Sequence, residues 1–237
     1  MGDGIYIATA GAVAQATALD VTANNVANAS TTGFRGERMT FAQVLTRARS
    51  PDVAMVRGQT PAIDTQAGVI TSTGEPLDIA LEGDGYFAVD TPSGVRYTRA
   101  GDLSRDAEGI VRTATGLQVR SADGGPLQIP AEATQIEIGE DGAITTELGP
   151  VGNLALATFA PGTIRHEGGS LFVATGAPSA DPPPRVLQGR LEGSNVNVVR
   201  GVVDMVKVSR TYEALLRFIQ GFHDVESRAA RELGGPK

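Results

Sequence analysis

The sequence predicts an α+β fold, in which an antiparallel all-β central domain is inserted between long N- and C-terminal helices. Three observations lead to this prediction. An alanine-rich stretch with helical spacing begins the chain, short alternating apolar runs with glycine turns fill its middle, and a strongly periodic stretch ends it. Each terminal segment carries a stripe of apolar residues, which must be buried against another element. We therefore expect the two helices to pair as a coiled-coil-like assembly domain.

The N-terminal helix is predicted from Ile5 to about Ala27. Its apolar and small residues recur at alternating spacings of three and four, at Ile5, Ala8, Ala12, Gln15, Leu19, Thr22 and Val26. Alanine buries little area, so this helix is expected to be marginal by itself. It needs a partner that approaches its axis closely.

The helix runs into NNVANASTTGF, from Asn24 to Phe34, which is polar yet carries no charge. A helix C-terminus explains it locally, because asparagine and serine bond neighbouring backbone groups and Gly33 accepts a left-handed conformation. The length of the run and its neutrality favour a buried, hydrogen-bonded junction, since neutral amides are less costly to bury than ions. LEGSNVNVV, from Leu191 to Val199, has the same composition apart from Glu192.

The next stretch, 35–67, is predicted to be an irregular connector. Phe41, Val44 and Leu45 have the spacing of a short helix, which Ser50-Pro51 would stop. The domain boundaries expected from the sequence are 1–34 with 198–237 for the helical domain, 35–67 for the connector and 68–197 for the β-rich domain.

The β-rich domain is predicted from short apolar runs such as YFAVD, VRYTRAG, LQVRS and SLFVAT. Turn pairs separate these runs, at Asp84-Gly85, Ser93-Gly94, Glu108-Gly109, Asp123-Gly124 and Asp141-Gly142. A glycine that accepts positive φ at little cost is what a tight hairpin needs. The pattern therefore indicates antiparallel strands joined by hairpins.

The C-terminal helix carries two adjacent apolar rows. The longer row comprises Val198, Val202, Met205, Ser209, Tyr212, Leu216, Ile219, His223, Glu226, Ala230 and Leu233, and the second comprises Val208, Leu215, Phe222 and Ala229. Ser194 or Asn197 can cap its start, and Gly234-Gly235-Pro236 is expected to end it. One helical partner cannot cover both rows, so further copies of the chain are expected to bind there.

The composition argues against several functions. A net charge of -7 disfavours a nucleic-acid partner, the absence of cysteine excludes thiol chemistry, and no apolar run is long enough for membrane insertion. His166 and His223 lie in different parts of the chain, and no catalytic, phosphate-binding or metal-binding motif accompanies them. We expect no enzyme activity, cofactor or metal site. A periplasmic hydrolase or binding protein and a tail-tube or adhesin-like subunit remain the competing hypotheses.

Three motifs resemble those of the bacterial flagellar rod and hook proteins. They are NNVANASTTGF, the stretch GEPLDIALEGDGYFAVDTPSGVRYTRAG, and GRLEGSNVNVV followed by Arg210-Thr211-Tyr212-Glu213. They occur in the order that this family shows and span nearly the whole chain. The short length leaves no room for the outer domain of hook protein, and the LEGSNV ending is typical of proximal rod members. Distal rod members share every motif and are the alternative.

The resemblance implies a structural subunit of the flagellar rod, which transmits torque from motor to hook. It implies helical assembly with copies of itself and with proximal and distal rod proteins, in a basal-body rod that crosses the periplasm. It also implies delivery by the flagellar type III export apparatus without a cleaved signal peptide. The lack of a basic residue before Arg35 agrees with that expectation.

The expected assembly interface combines both polar junctions with the helix stripes. On the N-terminal side it comprises Ile5, Ala8, Ala12, Leu19, Asn24, Asn25, Val26, Asn28, Thr32, Gly33 and Phe34. On the C-terminal side it comprises Ser194, Asn195, Val196, Val202, Met205, Arg210, Tyr212, Glu213, Leu216 and Ile219. The small residues would let neighbouring helices approach closely, and the neutral polar residues would fix their register.

Overall fold

A computed structural model describes residues 2–46, 53–58, 61–179 and 182–233 of the chain. The chain divides into two compact units, and each is described by itself. The helical unit takes residues from Met1–Ala27, Glu37–Ala62 and Asn197–Lys237, and the β unit takes Asn28–Gly36 and Ile63–Val196. The α+β prediction, with a central antiparallel β region between terminal helices, is confirmed.

The helical unit contains helix α1, Gly2–Ala27, and helix α2, Val198–Leu233, which contact each other. Asn197 caps α2, because its Oδ1 accepts a hydrogen bond from Arg200 N at 3.0 Å. Gly234-Gly235-Pro236, the predicted end of α2, lies outside the described residues. Neither described helix has a segment that is long and apolar enough to cross a membrane.

The prediction of a short helix within an irregular connector is wrong. Strand β1 is Glu37–Arg38, and strands β2, Phe41–Thr46, and β3, Val53–Gly58, form an antiparallel hairpin with Val44 opposite Met55. Phe41, Val44 and Leu45 fit a helix turn and a short strand equally well. The pairing partner decides between them, and a local pattern cannot show it. Ser50-Pro51 lies outside the described residues.

Strand β4, Ala62–Ile63, pairs with β1. The remaining strands are β5 Ile70–Ser72, β6 Ile79–Glu82, β7 Tyr86–Thr91, β8 Gly94–Thr98, β9 Leu103–Arg105, β10 Val111–Thr113, β11 Gln118–Val119, β12 Ile136–Ile138, β13 Ala143–Thr146, β14 Gly149–Asn153, β15 Leu156–Ala157, β16 Ile164–Gly168, β17 Leu171–Ala174, β18 Arg185–Gln188 and β19 Arg190–Glu192.

Most of these strands belong to one antiparallel sheet. Its order is β16-β17-β8-β7-β11-β10-β9, and β15 also pairs with β7. A three-stranded sheet β12-β13-β14 and the pairs β18-β6 and β19-β5 complete the β unit among the described residues. The core between them is apolar and is formed by Ile79, Leu81, Phe87, Val89, Val111, Val119, Leu127, Ile129, Ile144 and Val186 among others.

The predicted glycine turns are confirmed, although Asp84-Gly85 does not form a hairpin, because β6 pairs with β18 and not with β7. The glycines of all five predicted turn pairs have positive φ, from 83° at Gly142 to 154° at Gly85. A residue with a Cβ adopts these angles only with strain, which is why glycine occupies them. These turns connect strands or extended segments that lie next to each other in the chain.

Candidate functional site: a buried ion triad and a helix seam

Three charged side chains from distant parts of the sequence meet inside the β unit. Arg35 Nη2 lies 2.7 Å from Glu192 Oε1, and Arg99 Nη1 lies 3.0 Å from Glu192 Oε2. None of the three side chains is more than 4% exposed. Charges at this depth need close partners, because desolvation of an unpaired ion costs several kcal/mol. We call this cluster the ion triad.

Backbone groups around Arg35 support the triad. The Nη1 of Arg35 donates to the carbonyl of Gln66 at 2.6 Å and also to that of Thr65. The amide of Gly68 donates to Glu192 Oε1 at 3.0 Å. The segment from 65 to 68 is therefore bound to both an arginine and the central carboxylate.

Arg99 has a comparable set of partners. Its Nη1 donates to the carbonyl of Leu81 at 3.0 Å, and its Nη2 donates to the carbonyl of Gly83. Its guanidinium carbon lies 5.5 Å from the centre of the Tyr86 ring, within the range of a cation–π contact. Burial lowers the pKa of Arg99, and the Glu192 carboxylate opposes that effect. Burial also raises the pKa of Tyr86, although Arg99 favours its ionised form.

The glycine and phenylalanine of the first motif are packed beside the triad. Gly33 has φ of 66°, and its amide donates to the carbonyl of Glu192 at 2.8 Å. A Cβ at Gly33 would lie 2.2 Å from the amide nitrogen of Ala100, so only glycine fits. Phe34 is fully buried, and its ring meets His166 edge-on at 5.3 Å between centroids.

Asn195 uses its whole amide group within the β unit. Its Oδ1 accepts from the amide of Gly36 at 2.8 Å, and its Nδ2 donates to the carbonyls of Asp64 at 3.1 Å and Gln66 at 2.9 Å. Together with the ion triad, these bonds hold the segment from 64 to 68 against the last residues before α2. The hydrogen-bonded junction inferred from the neutral composition is thus present at this end.

Asn25 makes the corresponding contacts within the helical unit. Its Nδ2 donates to the carbonyl of Glu37 at 2.8 Å, and its Oδ1 accepts from the amide of the same residue at 2.9 Å. One side chain therefore satisfies both backbone groups of Glu37, as a neighbouring strand would. This pair of bonds connects the last turn of α1 to the start of β1.

Helices α1 and α2 lie antiparallel along a seam that includes three glycines. A Cβ placed on each glycine would lie 3.1 Å from Phe222 Cζ at Gly4, 3.5 Å from Leu215 Cδ1 at Gly11 and 2.6 Å from Val26 Cγ2 at Gly201. Contact positions rise by seven along α1, from Gly4 to Gly11, while they fall by seven along α2. Glycine at these positions lets the helix axes approach closely.

The seam of α2 combines the two rows that the sequence predicts. Its half-buried residues include Gly201, Met205, Val208, Tyr212, Leu215, Ile219 and Phe222, at alternating spacings of four and three. Five other residues of the longer row are exposed, namely Val198, Val202, Leu216, His223 and Glu226. Val199 is 76% exposed and Phe218 is 66% exposed, and further exposed apolar residues are Val198, Val202, Val203, Val206, Leu216 and Val225 on α2 and Tyr6, Ile7 and Val13 on α1.

The structure distributes the predicted interface residues over both units. In the helical unit Ala8 and Ala12 are buried, Ile5, Leu19, Asn25, Val26, Met205, Tyr212 and Ile219 are half-buried, and Asn24, Val202, Arg210, Glu213 and Leu216 are exposed. In the β unit Gly33 and Phe34 are buried, and Asn28, Thr32, Ser194, Asn195 and Val196 are half-buried. Their role in assembly stays a prediction.

The ion triad was not predicted from the sequence, although two of its residues lie within the motifs described above. Arg99 and Glu192 stand inside quoted motifs, and Arg35 directly follows the first one. The signal was available: Glu192 is the single charge in an otherwise neutral run. A lone carboxylate among apolar and amide residues indicates a buried partner of opposite charge. Among the described residues no cluster of His, Asp or Glu could hold a metal ion.

Comparison with known proteins gives the same three segments. Residues 5–35 match the model described as flagella basal body rod protein. Residues 80–146 match the flagellar hook protein FlgE/F/G D1 domain, and residues 187–232 match the C-terminal model of flagellar basal body rod FlgEFG proteins. The flagellar basal-body rod protein FlgF of Rhizobium meliloti strain 1021 is 33% identical over the full length of both chains. The chain belongs to the flagellar basal-body rod protein family.

Two other rod proteins show the breadth of the likeness. FlgF of Escherichia coli K12 is 35% identical over 97% of each chain, and FlgG of Bacillus subtilis strain 168 is 30% identical over 86% of this chain and 88% of its own. Each segment that matches a family model contributes one member of the ion triad. Within the β unit, the triad therefore joins one residue from each of the three matched segments.

Proposed function

We propose that this chain is a structural subunit of the bacterial flagellar rod, of the FlgF type, which polymerises into a helical drive shaft. The apolar surface that the helical unit leaves uncovered carries the proposal. Residues such as Val199, Val203 and Phe218 are about half exposed or more. An isolated soluble protein rarely keeps so many apolar side chains on one pair of helices. The family is a structural one and not a family of enzymes.

In this proposal α1 and α2 act together as the assembly domain. Its bounds expected from the sequence are 1–34 and 198–237, with 68–197 as the β-rich domain, although Asn28–Gly36 belongs to the compact β unit. The antiparallel seam supports a coiled-coil-like pairing, because the half-buried residues of α2 alternate at spacings of four and three and the contacts Gly4–Phe222 and Gly11–Leu215 lie seven residues apart. Repetition of one heterologous interface around an axis gives an open helical tube. Copies of this chain and neighbouring rod proteins would supply the missing apolar cover.

A swimming assay tests this role. In a strain that lacks its own copy, a chain with Phe218→Glu should fail to restore swimming or complete rods in electron micrographs. The matched control is Gln220→Glu, which adds the same charge at an exposed polar position of α2. Equal swimming by the two strains would contradict an assembly role for the exposed face.

The distal rod is the alternative position for this chain, since FlgG proteins are also similar to it. We propose the proximal rod, because the LEGSNV stretch of this chain is typical of proximal rod members and the FlgF proteins of Rhizobium meliloti and Escherichia coli are 33% and 35% identical to it. Complementation separates the two positions. The chain should restore swimming to a strain that lacks FlgF and should not restore it to one that lacks FlgG.

We also propose that the flagellar type III apparatus exports the chain across the inner membrane and that no signal peptide is removed. The periplasm-spanning rod is then its final location. In a strain without that apparatus the chain should stay inside the cell. Its appearance in the periplasm of such a strain would contradict this route.

A further inference from the structure

Three aspartates of the β unit, Asp84, Asp123 and Asp141, are each followed directly by glycine. In such a pair the glycine amide nitrogen can attack the side-chain carboxyl carbon of the aspartate, because glycine has no Cβ to obstruct the approach. The nitrogen loses its proton and bonds to that carbon, and the carboxyl hydroxyl leaves with the proton as water. Water then opens the resulting succinimide ring at either carbonyl. One opening restores aspartate, and the other gives isoaspartate, in which the backbone runs through the former side chain.

The structure distinguishes the three pairs first by the glycine amide. The amide of Gly124 donates to the carbonyl of Ser121 at 2.9 Å, and the amide of Gly142 donates to the carbonyl of Gly139 at 2.9 Å. Each of these bonds must break before the nitrogen can attack. The amide of Gly85, in contrast, donates to no carbonyl of the described chain. Its nitrogen is therefore available without the loss of a backbone hydrogen bond.

The carboxyl groups of the three pairs differ as well. The Oδ1 of Asp141 accepts from the amide of Ala143 at 3.0 Å, which holds this carboxyl group in its own turn. The carboxyl group of Asp84 is exposed and has no hydrogen bond or ion pair with any residue that the structure describes. Asp84 also has glycine on both sides, and nothing lies within 4 Å of the Cβ position of Gly83. The carboxyl group and the chain before it can therefore turn towards the Gly85 nitrogen.

One further contact favours reaction at this pair. The hydroxyl of Thr158 donates a long hydrogen bond, of 3.4 Å, to the carbonyl oxygen of Asp84. This carbonyl shares a peptide group with the Gly85 nitrogen. A donor on the oxygen stabilises the negative charge that the group acquires when the nitrogen loses its proton. We propose that Asp84 is the preferred site of isoaspartate formation in the β unit.

Isoaspartate at position 84 would disturb the ion triad. The carbonyl of Gly83 accepts from Nη2 of Arg99, and Gly85 packs so closely on Pro184 that a Cβ there would lie 2.5 Å from the proline Cγ. Isoaspartate lengthens the backbone between these two contacts by one methylene group, so one of them must shift. Loss of a backbone acceptor is costly for a buried guanidinium group. The modified chain should therefore have a less stable β unit.

Ageing of the full-length chain tests the site. The folded chain is kept warm, below its unfolding transition, in mildly acidic buffer. Electron-transfer mass spectrometry then separates isoaspartate from aspartate. The fraction at Asp84 should exceed those at Asp123 and Asp141 about fivefold, the factor that one backbone hydrogen bond of ordinary net strength is worth. In urea, which removes these bonds, the three positions should react at similar rates. A fraction at Asp84 no greater than the other two, or the same preference in urea, would overturn the proposal.

Two matched variants confirm the position. Protein-isoaspartate methyltransferase adds a radioactive methyl group to the free α-carboxyl group of isoaspartate in the aged chain. Asp84→Glu keeps the charge, but its ring would have six members and forms far more slowly, so most of the label should be lost. Asp123→Glu makes the same change at another exposed position and should keep most of the label. Equal labelling of the two aged variants would contradict the assignment.

Thermal unfolding of the aged chain tests the consequence. As isoaspartate accumulates at position 84, a second population with a lower midpoint should appear in the same proportion. The Asp84→Glu chain, aged in parallel, should keep a single transition. Chains that carry isoaspartate at position 84 and unfold like fresh chains would overturn the link to Arg99. None of these measurements involves rod assembly, so a negative result here leaves the proposed function intact.

Discussion

At the scale of single residues, Glu192 has the largest consequences for this molecule. Its carboxylate lies between Arg35 and Arg99, and it accepts a further bond from the amide of Gly68. A buried ion pair is weak evidence of stability by itself, because desolvation offsets much of the attraction. Its effect here is to specify one arrangement. Arg35, Arg99 and Glu192 are separated from one another by more than sixty residues in sequence. All three charges are paired only when their segments fold into this one arrangement.

Replacement of Glu192 tests this arrangement. Glu192→Gln leaves two buried guanidinium groups without a counter-charge and should lower the free energy of unfolding of the β unit by about 3–5 kcal/mol. Glu140→Gln is the control, since Glu140 pairs with Arg185 at 2.5 Å on the surface, and it should cost less than about 1 kcal/mol. Urea denaturation followed by tyrosine fluorescence gives both values. Equal losses of free energy of unfolding in the two variants would show that the buried triad stabilises the β unit no more than a surface ion pair does.

Gly33 offers a test of close packing beside the triad. Gly33→Ala and Gly116→Ala both put a Cβ on a residue with positive φ, which costs about 1 kcal/mol in each case. Only at Gly33 would that Cβ strike backbone atoms, those of Arg99 and Ala100, whereas nothing lies within 4 Å at Gly116. Gly33→Ala should therefore destabilise the β unit by a further 1–3 kcal/mol or so in thermal unfolding. Equal losses of stability in the two variants would contradict the close contact of Gly33 with the backbone of Arg99 and Ala100.

Glu147 gives a prediction for pH. Its carboxylate accepts from the amides of Thr134 and Gln135 and from the Thr134 hydroxyl, and these bonds, that to the Thr134 amide foremost, lower its pKa from 4.5 to about 2. Because the pKa is lower in the folded than in the unfolded state, the ionised carboxylate stabilises the folded chain at pH values above the unfolded pKa. This contribution is lost as pH falls from about 4.5 to about 2. Glu147→Gln should remove that part of the acid dependence of the unfolding midpoint. Superimposable profiles for the two chains would contradict it.

At the scale of elements, the glycines of the helix seam set how closely α1 and α2 approach. Gly201 faces Val26, and a Cβ there would lie 2.6 Å from Val26 Cγ2. Gly221 is on the same helix, and nothing lies within 4 Å of its Cβ position. Alanine is the better helix former at both positions, by about 1 kcal/mol. The two sites differ only in what the new methyl group meets.

The pair of variants Gly201→Ala and Gly221→Ala uses this difference. Gly221→Ala should raise the thermal stability of the helices, which circular dichroism at 222 nm measures, because it gains helix propensity without a clash. Gly201→Ala should lower it, because Val26 must move and the seam opens. If both variants are stabilised, the helices do not pack at Gly201 as described.

The elements also show how far the sequence could predict this fold. The two helices, the five glycine turns and the Asn197 cap follow from periodicity and from local backbone chemistry. The hairpin of β2 and β3 did not follow, because its evidence is the pairing of two segments. The α2 seam was only half predicted, since the sequence shows two adjacent rows and the contact with α1 takes residues from both of them.

The ion triad likewise could not be predicted from local sequence. Composition indicated buried polar junctions, and Asn25 and Asn195 do bond backbone groups in their own units. Nothing local could show that Arg35 and Arg99 reach one carboxylate, because that depends on long-range folding. Phe34 is a similar case: the polar run before it gives no local sign of burial, and the β unit buries it completely.

At the scale of the whole molecule, the account rests on apolar surface that the chain does not cover by itself. The β unit has a closed apolar core, whereas α1 and α2 pair and still expose a row of valines and Phe218. Burial of such side chains stabilises a complex by about 25 cal/mol for each Å² removed from water. The free energy of rod assembly would come largely from this surface.

Cysteine labelling tests this claim most directly, because the chain has no cysteine of its own. Single cysteines at Val203 and Phe218 should react quickly with a water-soluble maleimide in the free chain. In purified basal bodies we expect both positions to be protected, as sister chains and rod neighbours cover them. Equal reaction rates in the free chain and in assembled basal bodies would contradict the account.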